Sequence, residues 1–249
     1  MKRDDTEHRS RWRYYFFNIF LFLLIVGIIS VSAIVFFCDT ETVKVKGNTI
    51  ASDKELEKII LSDKYDVNTV YAVVRNLIFP HKSIPFVESY RVDMKGRNTL
   101  VVTIHEKALY GFVLGNKKGT YVYYDDRGNV MEVSKLFLED VFFVEGLVAK
   151  DPETDKTLPV GNTNVKTILI IQEALSRDDL PVQTVSFRED GTITFQVEKI
   201  LVNLGTRMSI SEKLKRLPYI LPKLKGQAGT LHLEEWSEEN TDIVFEKTG

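Results

Sequence analysis

Few residues in this chain sit close enough together to do chemistry. His105 and Glu106 are neighbours, and an imidazole beside a carboxylate is a common acid/base pairing. Successive side chains of a strand point to opposite faces, and His105 lies opposite the apolar Ile104, so it reads as solvated. Asp125-Asp126 could hold a cation, but before Gly128 at a strand end the same residues shape a turn. Gly115 to Gly119 encloses Lys117 and Lys118 without the Gly-Lys-Ser/Thr ending that a phosphate-cradling loop needs. The four histidines, His8, His81, His105 and His232, are far apart, and neither a Gly-x-Ser-x-Gly elbow nor a His-Glu-x-x-His helix is present. No constellation that could carry a reaction remains, so no catalytic, cofactor or metal residue is assigned and no small-molecule substrate is expected. Binding is the class of function left to look for.

The candidate binding residues gather near the end of the sequence. Leu231 and Leu233 lie on one predicted strand, and Ile243, Val244 and Phe245 on another. Trp236 sits between them in a polar loop with Glu234, Glu235, Glu238 and Glu239, where a tryptophan could be a hot spot. A strand left at a sheet edge can template a partner strand through main-chain hydrogen bonds. A second reading stands beside this one: Ile243 and Phe245 face the core and Trp236 covers its edge.

These residues hang on an α+β body tethered by one helix. The run from Tyr14 to Phe37 carries no charge and spans about 36 Å as a helix, enough to cross about 30 Å of hydrocarbon. Trp12, Tyr14 and Tyr15 stand where an aromatic belt would lie. Lys2, Arg3, Arg9, Arg11 and Arg13 precede the run, and Asp39 and Glu41 follow it, which predicts the N-terminus inside and the C-terminus outside. A cleaved signal sequence would have a shorter apolar core and a small-residue cut site. Val31-Ser32-Ala33 is a weak match, and the run ends in the bulky Phe36-Phe37, which favours an uncleaved anchor. Cys38 is the sole cysteine, so no disulfide framework forms within the chain. The net charge of −2 comes from mixed signs with no basic block, so no nucleic-acid partner is expected.

Residues 42–107 read as strand, helix, helix, strand, strand. Val43 and Val45 alternate with lysines, and Ser52 to Glu55 is a capping box for a helix with Leu56, Ile59 and Ile60 on one face. A second helix, about Asn68 to Phe79, carries the stripe Val70, Val73, Val74, Leu77 and Ile78, and Pro80 stops it. Tyr90, Val92 and Met94, then Leu100, Val102 and Ile104, mark two strands. Residues 108–249 are mainly β. Strands are predicted at 110–114, 120–124, 130–133, 141–144, 185–187, 193–195, 201–204, 230–233 and 242–246. One helix is predicted over Asn164 to Ser176, and another opens at a capping box of Ser209 and Glu212 and is bent or broken by Pro218.

A strand-helix-helix-strand-strand unit after a membrane helix, opened by Val43-Lys44-Val45-Lys46-Gly47-Asn48, resembles a POTRA domain. The run Leu100-Val101-Val102-Thr103-Ile104-His105-Glu106-Lys107-Ala108 resembles the end of that domain in the bacterial cell-division family FtsQ/DivIB, with Ala108-Leu109 where the family often has Pro-Ala. Tyr124 to Val130, Val202-Asn203-Leu204-Gly205 followed by Lys213-Leu214 and Leu217, and Leu231-His232-Leu233 resemble the family's β domain. His232 replaces the usual Asp, and Glu234 the usual Arg. The resemblance implies a non-enzymatic scaffold of the divisome, single-pass in the cell membrane, found at the septum. It implies that the C-terminal end of the β domain binds small division proteins of the FtsB/DivIC and FtsL type, which points to the candidates Leu231, Leu233, Trp236, Ile243, Val244 and Phe245. The organisation expected is a cytoplasmic tail over 1–13, a transmembrane helix over 14–37, a POTRA-like domain over 42–107 and a β domain over 108–249. A membrane-tethered envelope enzyme and a POTRA chaperone-like module are the alternatives.

Overall fold

The computed structural model describes residues 4–79, 82–236, 240 and 243–248. The chain divides into two units, Met1–Glu106 and Lys107–Gly249. The class is the expected mixed α+β with an apolar N-terminal helix.

The first unit opens with helix α1, Asp4–Phe37, whose stretch Tyr14–Ile34 is apolar enough and long enough to cross a membrane. Next come β1 (Thr42–Lys46), α2 (Asp53–Ile60), α3 (Thr69–Ile78), β2 (Val87–Met94) and β3 (Thr99–Glu106). The strands pair in the order β1-β3-β2, with β1 parallel to β3 and β2 antiparallel to it. Leu56 and Ile60 of α2, Ala72 of α3 and the inward residues Tyr90, Val92, Leu100, Val102 and Ile104 form one core. The capping box forms as predicted: Ser52 accepts from the Glu55 amide while Glu55 reaches back to the Ser52 amide.

The predicted stripe on α3 is corrected. The inward residues are Thr69, Ala72 and Asn76, while Val74, Leu77 and Ile78 are exposed and Val70 and Val73 are only half-buried. The inward face is therefore turned by one residue, about 100° around the axis. Polar side chains are tolerated inside because each is satisfied: Thr69 donates to the carbonyl of Arg97 at 2.5 Å and Asn76 to that of Ala72 at 2.8 Å. Pro80, expected to end this helix, lies outside the described residues.

The second unit contains β4 (Gly111–Gly115), β5 (Tyr121–Tyr124), β6 (Val130–Ser134), β7 (Phe143–Ala149), α4 (Asn162–Arg177), β8 (Thr184–Phe187), β9 (Ile193–Val197), β10 (Ile200–Gly205), α5 (Ile210–Ile220), a 3₁₀ turn at Leu221–Leu224, β11 (Gly229–His232) and β12 (Val244–Lys247). Among the described residues the strands make one sheet in the order β12-β11-β10-β9-β8-β7-β4-β5-β6. Val165 and Ile168 of α4 cover the β4, β5 and β7 part, and Ile171, Ala174 and Leu175 continue with Leu214 and Leu217 of α5 over β8 to β11.

Three expectations change here. The strand predicted at 141–144 begins at Phe143 and runs on through Gly146 to Ala149. Gly146 has φ +85°, and a side chain there would collide with the Phe187 carbonyl, so a glycine that looks like a stop is a requirement of the pairing. The second capping box does not form: Ser209 is left-handed, at φ 52°, and its side chain caps nothing. Pro218 lies inside α5, which continues to Ile220 before tightening into the 3₁₀ turn. Predicted residues Thr241 and Asp242 of the last strand lie outside the described residues, as do Glu238 and Glu239 of the preceding loop and His81.

Candidate partner-binding edge

The residues first weighed for chemistry hold structure instead. His105 is exposed on β3. Glu106 accepts from the amides of Thr49 and Ile50, at 2.7 and 2.9 Å, and from the Thr49 hydroxyl, which fastens the end of β3 to the turn after β1. Partial burial opposes its charge, but the Ile50 and Thr49 donors outweigh that and hold the carboxyl below its ordinary range. Asp125 accepts from the amides of Arg127 and Asn129, which is turn chemistry. Among the described residues, no group of histidine, cysteine and carboxylate side chains could hold a metal ion.

The six C-terminal candidates do come together, in two different environments. In the register of β11 with β12, Leu231 faces Phe245 and His232 faces Val244. Leu231 and Leu233 are fully buried, and Ile243 and Phe245 are half-buried against the same core. Trp236 is inside the fold at 4% exposure, with the Arg216 guanidinium 5.1 Å from its ring centroid. Val244 is 59% exposed. Five of the six residues thus build and support the edge, and Val244 presents outward from it.

Residues outside that set fasten the edge. Lys213 of α5 is buried, and its Nζ donates to the carbonyls of Leu204 and Glu234 at 2.8 and 3.2 Å. Burial presses its pKa down, against the Glu234 and Glu235 carboxylates that support the charge. Its position was readable: Ile210, Lys213, Leu214 and Leu217 share one helical face, so a lysine sits in an apolar row. His232 bridges two carboxylates, Nδ1 to Glu234 Oε1 at 2.7 Å and Nε2 to Glu246 Oε2 at 3.5 Å, and so ties β11 to β12. Glu234 Oε2 is buried with no hydrogen-bond partner among the described residues.

The hydrogen bond that His232 donates to the Glu234 carboxylate, aided by the charge of Glu246, raises the pKa of His232. A group with a raised folded-state pKa stabilises fully below its unfolded value and loses that contribution as pH climbs through the folded value. Unfolding followed by Trp236 fluorescence should therefore show stability falling as pH rises above about 6.5, the ordinary imidazole value. The variant His232→Gln should lack that fall, and an identical pH profile in the two proteins would contradict it.

Comparison with known proteins adds little. No family model and no curated protein matches the chain. Among solved structures, the major extracytoplasmic domain of the trans isomer of the cell-division protein DivIB from Geobacillus stearothermophilus is similar at 15% identity with a TM-score of 0.27. The match covers 48% of this chain and 95% of that one. A likeness at that level carries no argument about function.

Proposed function

We propose that this chain is a non-enzymatic scaffold of the bacterial cell-division machinery. Helix α1 anchors it in the cell membrane with the basic N-terminal flank inside, and both folded units stand outside. The second unit docks small membrane-bound division proteins of the FtsB/DivIC and FtsL type along β12, and the first unit positions other division proteins at the septum. The observation that carries the reading is the placement of β12 at the edge of the large sheet, with Phe245 turned to the core and Val244 turned out. The order of an apolar helix, a β-α-α-β-β unit and a larger sheet supports it, as do the residue runs from Leu100 to Ala108 and from Val202 to Leu233.

The test is co-purification of the chain with such a partner pair. Because Trp236 is buried, Trp236→Ala mixes loss of contact with loss of fold, and Val244→Asp is the cleaner variant. It should lower capture by about tenfold, the scale of one interface hot spot. Leu136→Asp, an exposed change on another part of the unit, should leave capture unchanged. Full capture by both Val244→Asp and Phe245→Asp would remove the proposed site. A fluorescent fusion should form a band at midcell, and an even membrane signal would count against the division role.

A further inference from the structure

The corrected face of α3 leaves apolar side chains in water. Tyr71, Val74 and Ile78 follow one another at helical spacing on α3, and the exposed Tyr65 and Val67 lie in the turn just before it. Val67 is 66% exposed, Tyr65 55% and Leu77 82%. The near end of this face is bonded directly to the end of α1. The Asn68 side chain donates to the carbonyl of Ile34 at 2.9 Å. The amide of Thr69 donates to the carbonyl of Cys38 at 2.8 Å, and the Thr40 amide donates to the carbonyl of Val67 at 2.7 Å. Ile34 closes the stretch Tyr14–Ile34 that is long and apolar enough to span, and α1 ends one turn later at Phe37. Asn68 therefore stands level with the outer limit of the hydrocarbon if α1 spans a bilayer.

The headgroup layer beyond that limit is roughly 5–7 Å deep on each side. Residues 65–71, held at its inner boundary, fall within it. Their chemistry suits that layer. The rings of Tyr65 and Tyr71 meet edge to face at 5.5 Å, and the Lys64 ammonium lies 4.6 Å from the Tyr65 ring centroid. Tyrosines with an apolar body and a polar tip, beside a lysine, are characteristic of the membrane interface.

We propose that the outward face beginning at Tyr65, Val67 and Tyr71 rests in the headgroup layer of the membrane, so that the first unit is seated on the lipid surface rather than suspended from a tether. The occupant of this face is lipid. The inference rests on the reading of α1 as the membrane anchor.

The experiment uses the full chain in vesicles of phosphatidylethanolamine and phosphatidylglycerol. With Cys38→Ser as background, an environment-sensitive fluorophore is attached to single cysteines from Val67→Cys, Tyr71→Cys, Lys95→Cys and Phe20→Cys, and lipid spin-labelled near the headgroup or along the acyl chain is added. The expected result is a blue shift and a loss of emission at Val67 and Tyr71 with the headgroup label, none at Lys95 in the β2–β3 turn, and a loss at Phe20 with the acyl-chain label. Quenching at Phe20 with Val67 and Tyr71 no different from Lys95 would overturn the seating and leave the anchor standing. Probes at Val67 and Tyr71 that are shielded from water but not quenched by lipid would mark a protein occupant, a second copy or a partner, and overturn it as well. No quenching at Phe20 would remove the anchor and the seating together.

Discussion

Replacing Gly229 by valine should strip β12 from the sheet while β11 and the strands before it stay folded. A side chain at position 229 would meet the carbonyl oxygen of Glu246 and would lie 2.8 Å from the Phe245 ring. The obstacle is backbone on the partner strand, so no rotamer change relieves it. Gly229 pairs with Lys247, so the collision falls within the four residue pairs that join β12 to β11. Loss of about 3 kcal/mol of local stability is expected, which raises the exchange of those β12 amides that bond to β11 by about 100-fold. The Trp236 environment and the pairing of β9 with β10 should change little. If β12 is the docking strand, the same variant should fail to capture the partner pair. Those β12 amides keeping their protection would contradict the strand displacement.

A comparable effect is expected in the first unit from Arg75→Met. The Arg75 guanidinium donates twice to Asp66, at 2.8 and 2.7 Å, and once to the carbonyl of Ile60 at 2.7 Å. Asp66 is buried, its side chain 3% exposed, and also accepts from the Asp63 amide at 2.9 Å. One side chain thus closes the end of α2 and fixes the loop between the helices. Removing it leaves a carboxylate in the interior without its counter-charge, at a cost of about 3–5 kcal/mol. Rapid exchange of amides across α2 and α3, with the second unit unaffected, is the expected readout. The double variant Asp66→Asn/Arg75→Met should recover part of the loss, because the interior then holds no unpaired charge. A single variant as protected as the parent chain would show that the pair contributes little.

How much of this was visible in the residues depends on what each signal measures. Local signals served well. The capping box at Ser52, the alternation in β1 and the hairpin of β8 and β9 are short-range features and formed as expected. Hydrophobicity counting failed on α3 because it ranks Val and Leu above Thr and Asn, whereas small Ala72 and the hydrogen-bonded Thr69 and Asn76 face the core. The candidate edge was half legible. Its apolar strand residues stood out, and Trp236, open to two readings, is interior; the roles of Gly229 and His232 follow only from the register of β11 with β12, whereas Lys213 was visible as a lysine in an apolar helical row. Glu246 likewise acquires its role only through the pairing that brings it near His232.

The order of strands in the large sheet carries one more consequence. From β7 onward every strand lies beside its predecessor or successor in sequence, with β12 outermost. A chain emerging residue by residue can therefore build this half of the sheet in order, each strand meeting an edge already made, with α4 spanning the step from β7 to β8 and α5 the step from β10 to β11. Synthesis and folding need not wait for each other. The cost is that a sticky edge exists at every stage until the next strand arrives, so the pace of chain emergence sets how long each one is left uncovered.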